Sequence, residues 1–203
     1  MKKLLLSLCS FFIAFALFAD SPLTSTRFWE AYANVPQVKK ASECNGVLTP
    51  ELMKFLNSKA SIDKKVALIN AVGWNFNGLN NFDAYKKYLK KGLGKGRIKA
   101  ENLLCLSYLK AMDNYFDCNV ALKLASEALS LNPDSYTFNI IHGLINAQVS
   151  FDYSMCATWK SVDNVRNNQN LNMDINPEAI KIIFEYMDLY KSSCDEEEQY
   201  YED

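Results

Sequence analysis

Apolar residues recur along most of this chain at helical spacing, and the alternation that marks half-buried strands is scarce. Helix boundaries are written into the same stretches. Thr49-Pro50-Glu51 supplies a cap, a proline at the first helical position and an acid in the first turn. Asn176-Pro177-Glu178 repeats that chemistry, and Ile180, Ile183, Phe184 and Met187 then share one face. Gly92, Gly94 and Gly96 follow Lys90-Lys91 and end the helix before them. Phe28, Trp29, Tyr32, Val35 and Val38 predict an amphipathic helix broken at Pro36, and the five asparagines in 167–176 predict a loop. The pattern predicts an all-α fold.

A longer period lies over the helical one. Phe-Asp occurs at 82–83, 116–117 and 151–152, intervals of 34 and 35 residues. Ile69, Leu103 and Phe138 stand thirteen positions before each Phe, and Val72, Leu106 and Ile141 stand ten before. Three helix–turn–helix units follow, about 64–98, 99–133 and 134–168. Once per unit, Asp83, Asp117 or Asp152 is placed to cap the second helix. The second helix of the middle unit carries small residues at Ala121 and Ala128 and reaches Pro133. Gly143 is the small residue in the first helix of the next unit.

Over 99–147 these positions resemble the tetratricopeptide repeat, whose small residues mark close helix crossings. The resemblance implies stacked antiparallel helical hairpins at 64–168, a short solenoid. An N-terminal helical cap at 20–63 and a capping helix at 169–194 would cover its ends. Ala125 stands where that family usually has an aromatic, and Cys156, Lys160 and Asp163 in the third unit depart from the small-residue pattern. First-helix residues line the groove in that family. The resemblance therefore makes Lys110, Asp113 and Asn114 candidates for partner binding, with Asn80 and Gln148 as counterparts in the flanking units.

The N-terminus changes where this fold is expected to work. Lys2 and Lys3 precede an apolar run from Leu4 to Phe18, then Ala19 and the polar Asp20-Ser21-Pro22. This predicts a secretory signal peptide at 1–19 and a mature chain in the bacterial periplasm or medium. The run is shorter than the roughly 20 residues of a membrane span, and no second span follows. Losing Lys2 and Lys3 takes the net charge from −1 to −3. Six acids sit in the tail 195–203, expected to be disordered, so the body is left near +3, which excludes a nucleic-acid-binding balance.

Candidate chemistry is sparse. Export permits disulfides among Cys44, Cys105, Cys118, Cys156 and Cys194, and the odd number leaves at least one thiol unpaired within the chain. No CxxC or calcium-loop spacing occurs, so no metal or other cofactor is expected. His142 is the single histidine, in an apolar helix, with no nucleophile or acid spaced around it to make a base. Gly92-Leu-Gly-Lys-Gly-Arg97 lacks the Gly-Lys-Ser/Thr of a phosphate loop. The same region holds Lys86, Lys87, Lys90, Lys91, Lys95 and Arg97, either a solvated face or a dock for an acidic partner, the acidic tail included. The expectation is a non-catalytic module that binds another protein or peptide. A periplasmic immunity or inhibitor protein and an envelope-assembly component are the alternatives.

Overall fold

A computed structural model describes residues 21–93 and 98–195. The expected signal peptide, Lys95, Arg97 and tail residues 196–203 lie outside the described residues. The described chain is all-helical, with one isolated bridge between Ser135 and Asn172 and no strand. The helices are α1 Pro22–Ser25, α2 Pro36–Ser42, α3 Pro50–Leu56, α4 Ile62–Val72 and α5 Asn81–Leu93. They continue as α6 Ala100–Asp113, α7 Asn119–Leu131, α8 Tyr136–Ser150, α9 Met155–Arg166 and α10 Pro177–Met187. Two 3-10 turns, Phe28–Tyr32 and Asp188–Tyr190, complete the set. Among the described residues no helix is long and apolar enough to cross a membrane.

Prolines open four of these helices, where a missing N–H removes no intrahelical bond. Thr49 accepts from Leu52 N–H and Asn176 from Glu178 N–H, capping α3 and α10. The amphipathic helix expected over 28–38 is instead a 3-10 turn followed by α2, because Pro36 begins a helix rather than breaking one. The Phe-Asp aspartates also differ from expectation. Asp83 sits inside the first turn of α5, and Ser154, not Asp152, caps α9 by accepting from Ala157 N–H. Asp117 accepts from the backbone N–H and the side-chain Nδ2 of Asn119, just ahead of the N-cap position, which Cys118 occupies.

The start of α5 is capped from another helix. Asp113, at the end of α6, accepts the N–H groups of Asn81 and Phe82 through its two carboxylate oxygens at 3.0 and 2.7 Å. Asp174 does the same for α8, accepting from Thr137 N–H and from the Ser135 hydroxyl. Each cap joins elements more than thirty residues apart, so it is tertiary structure as well as a helix start.

Helices α6 and α7 pack as a pair, as do α8 and α9, and α7 lies against α8. Ala121, Ala125 and Ala128 are fully buried on α7. A methyl on Gly143 would stand 2.7 Å from the backbone oxygen of Ser161, so α8 and α9 meet almost backbone to backbone there. The first pair of helices behaves differently. The principal neighbours of α4 are α2, the Phe28–Tyr32 turn and α6, while α5 packs on α6. The linker at 73–80 is drawn away to the end of α6, where Leu79 N–H donates to the Asp113 carbonyl. The core runs continuously through α4, α6 and α8, which contact one another side by side. Cys156 and Cys194 form a disulfide that ties the chain beyond Asp188–Tyr190 to the first turn of α9.

Candidate functional site

The face shared by α4, α6 and α8 is already filled. Residues 21–32 run across it as an arm held largely through backbone groups. Leu23 N–H donates to Gln148 Oε1 on α8 at 3.2 Å. On α4, Asn70 Oδ1 accepts from Trp29 N–H, while Nδ2 donates to the Thr26 carbonyl and to the Tyr108 hydroxyl on α6. Asn176 completes the grip: its backbone N–H donates to the Tyr32 hydroxyl and its Nδ2 to the Ala31 carbonyl. Leu23, Phe28 and Tyr32 are buried, and Phe28 stacks on Tyr108. Each such burial contributes about 2 kcal/mol. Burial raises the Tyr32 and Tyr108 hydroxyls well above the ordinary tyrosine range, so both stay protonated donors and acceptors. Helix α10 then packs on the Phe28–Tyr32 turn, bringing the two ends of the described chain together.

This arrangement separates the five residues singled out for partner binding. Gln148 is buried and spent on the arm. Asp113 is buried and spent on capping α5; burial raises its carboxyl above the ordinary value despite the two N–H donors. Lys110 lies half-buried with its Nζ 5.5 Å over the Phe82 ring, and Lys86 covers the same ring at 5.1 Å. Asn80 and Asn114 are exposed and belong to loops after α4 and α6. The five do not converge on one site.

His142 is half-buried on α8, and its Nε2 lies 3.1 Å from Ser126 Oγ on α7. The serine hydroxyl donates to the Leu122 carbonyl at 2.9 Å. The Ser126 hydroxyl thus has two partners, the Leu122 carbonyl and the His142 ring nitrogen. Burial lowers the His142 pKa, leaving the ring neutral at neutral pH. Among the described residues no three His, Cys, Asp or Glu side chains converge as metal ligands. Cys44, Cys105 and Cys118 are unpaired, and burial pushes the last two thiols up to about 12, far from nucleophilic thiolates.

The lysine region has more shape than a lysine-rich helix face. Lys86, Lys87, Lys90 and Lys91 all lie on α5, and a trough runs between this helix and α3. Two adjoining hollows of about 240 and 260 Å³ share Tyr88 and Lys91. Pro50, Met53 and Asn57 form one wall, on α3 and at its end; Ala84, Lys87, Tyr88 and Lys91 form the other. Those three α3-side positions are one and two helical turns apart, which makes the trough about 11 Å long. Met53, Ala84 and Tyr88 are half-buried and give it an apolar floor. Lys54, Lys87, Lys90 and Lys91 are exposed, and none forms an ion pair among the described residues. The nearest acid on α3, Glu51, is taken by Lys40.

The lysines are visible as a run in the sequence, but Met53 and Tyr88 are not visible there as their floor, since α3 and α5 lie about thirty residues apart. Asn70 is equally hidden: its only sequence signal is a polar residue inside the apolar run Val66 to Val72. The chain matches no family model, no curated protein and no solved structure.

Proposed function

We propose that this chain is an exported, non-catalytic module that binds another protein or peptide, built on tetratricopeptide-like helical hairpins. One observation carries the reading: an open apolar trough edged by lysines that lack acidic partners among the described residues. Unpaired like charges beside exposed apolar surface cost stability unless they meet a complement, and both are relieved when a partner of opposite charge covers them. The binding surface on this reading is not the face of α4, α6 and α8, where the arm takes the place a peptide would occupy.

Export is supported by the basic and apolar pattern of residues 1–19 and by the Cys156–Cys194 pair, since disulfides persist in oxidising compartments. The test is capture of partners by tagged mature protein from its native envelope, followed by reconstitution from purified components. A stoichiometric complex supports the reading. Failure to recover any partner that rebinds in purified form refutes it.

A further inference from the structure

Resting on the binding-module reading, we propose that the trough between α3 and α5 takes an acidic amphipathic helix of another protein. The segment would be about two turns long, set by the length of the trough. It would seat one bulky apolar side chain against Met53 and Tyr88 and bring carboxylates to Lys87 and Lys91.

Three features select this occupant. The first is charge. Lys87 and Lys91 stand one turn apart on the rim, and carboxylates on successive turns of a docked helix match that spacing. The second is the floor. It is apolar and recessed between two helices, so acids alone would leave it wet, whereas an apolar side chain fills it. The third is the backbone. Both walls are mainly helix, whose N–H and C=O groups are internally paired, and the Asn57 Oδ1 already accepts from Asn102. An extended peptide would find few partners for its own backbone there. A helix brings its backbone hydrogen bonds with it.

The experiment uses the full mature chain and a fluorescein-labelled synthetic helix of about 14 residues, with leucines at i and i+4 flanked by glutamates. Two control peptides replace the leucines by serine or the glutamates by lysine. The acidic leucine peptide is expected to bind saturably by fluorescence anisotropy. Binding should weaken about tenfold or more with the serine peptide and with the Lys87→Glu/Lys91→Glu protein. It should also fall as salt rises from roughly 0.05 to 0.5 M. Circular dichroism of the double variant checks that its fold is retained, and Met53→Asp gives a second variant aimed at the floor alone.

Equal binding of the leucine and serine peptides overturns the proposal, because a solvated lysine face then suffices. So does equal binding of the lysine peptide. Binding only after residues 196–203 are removed also overturns it, since the chain's own tail would then be the occupant. Capture of the protein by phosphatidylglycerol vesicles where the acidic helix fails assigns the patch to a membrane surface instead. A native partner retained fully by the Lys87→Glu/Lys91→Glu variant refutes the trough but leaves the binding-module reading standing.

Discussion

Replacing Asn70 with alanine tests whether the arm is held by side-chain amide chemistry. The substitution removes three hydrogen bonds at once, from Trp29 N–H, to the Thr26 carbonyl and to the Tyr108 hydroxyl. Thr26 and Tyr108 are fully buried, so their polar groups lose a partner where water has little access. At about 1 kcal/mol for each bond, the cost is about 3 kcal/mol. For a domain of this size that is a fall in Tm of about 6–12 °C. Urea unfolding of the oxidised chain from residue 20 onward reads the total. Trypsin cleavage after Arg27, which lies exposed between Thr26 and Phe28, reads the arm by itself. Arg27 cleavage should accelerate before other sites do, because the lost bonds concern the arm first. Asn80→Ala is the control: its amide is exposed in a loop, and the change should stay within about 0.5 kcal/mol. A loss below about 1 kcal/mol for Asn70→Ala, with unchanged Arg27 cleavage, would show that the arm is not held by this amide.

Three further outcomes follow from the packing, and a fourth from a titratable group. Gly143→Ala should destabilise by about 1–3 kcal/mol in urea titration, since the new methyl meets the Ser161 carbonyl; a gain in stability would mean that helix propensity outweighs the clash. Cys156→Ser should cost up to about 4 kcal/mol, the chain-entropy value for a loop of 38 residues, and no change would place the link outside the cooperative fold. Native alkylation followed by mass spectrometry should leave Cys105 and Cys118 unlabelled until denaturant is added; rapid labelling of either would contradict their burial. For His142, burial lowers the folded pKa below the ordinary 6.5, so the unfolded chain binds more protons. Its contribution to stability is thus present above pH 6.5 and is lost as pH falls through the folded pKa. The His142→Gln variant should lack that component, and identical pH profiles of urea unfolding would remove it.

Much of the helix pattern is legible in the order of residues alone. Thr49-Pro50 and Asn176-Pro177 begin helices where their cap chemistry places them, because an N-cap and its N–H partner lie within three residues. Ala121, Ala128 and Gly143 stand at the small-residue positions of the repeat pattern that the sequence resembles; the two alanines are buried and Gly143 lies against the Ser161 backbone. The candidate site is only partly legible: its lysines form a run in the sequence, but nothing local says that Met53 will lie beneath them.

What the sequence determined by itself is therefore the helical content, several boundaries and the small-residue faces, all properties carried by neighbours within a turn or two. The tertiary structure alone decided which surfaces are covered. It sent the arm over α4, α6 and α8 and turned Asp113 from a groove candidate into the cap of α5. Among the five cysteines that follow residue 20 it paired 156 with 194. It also left the trough between α3 and α5 open. These outcomes depend on which buried groups find complements across long stretches of chain, and that competition is settled by the packing of the whole core rather than by any one segment.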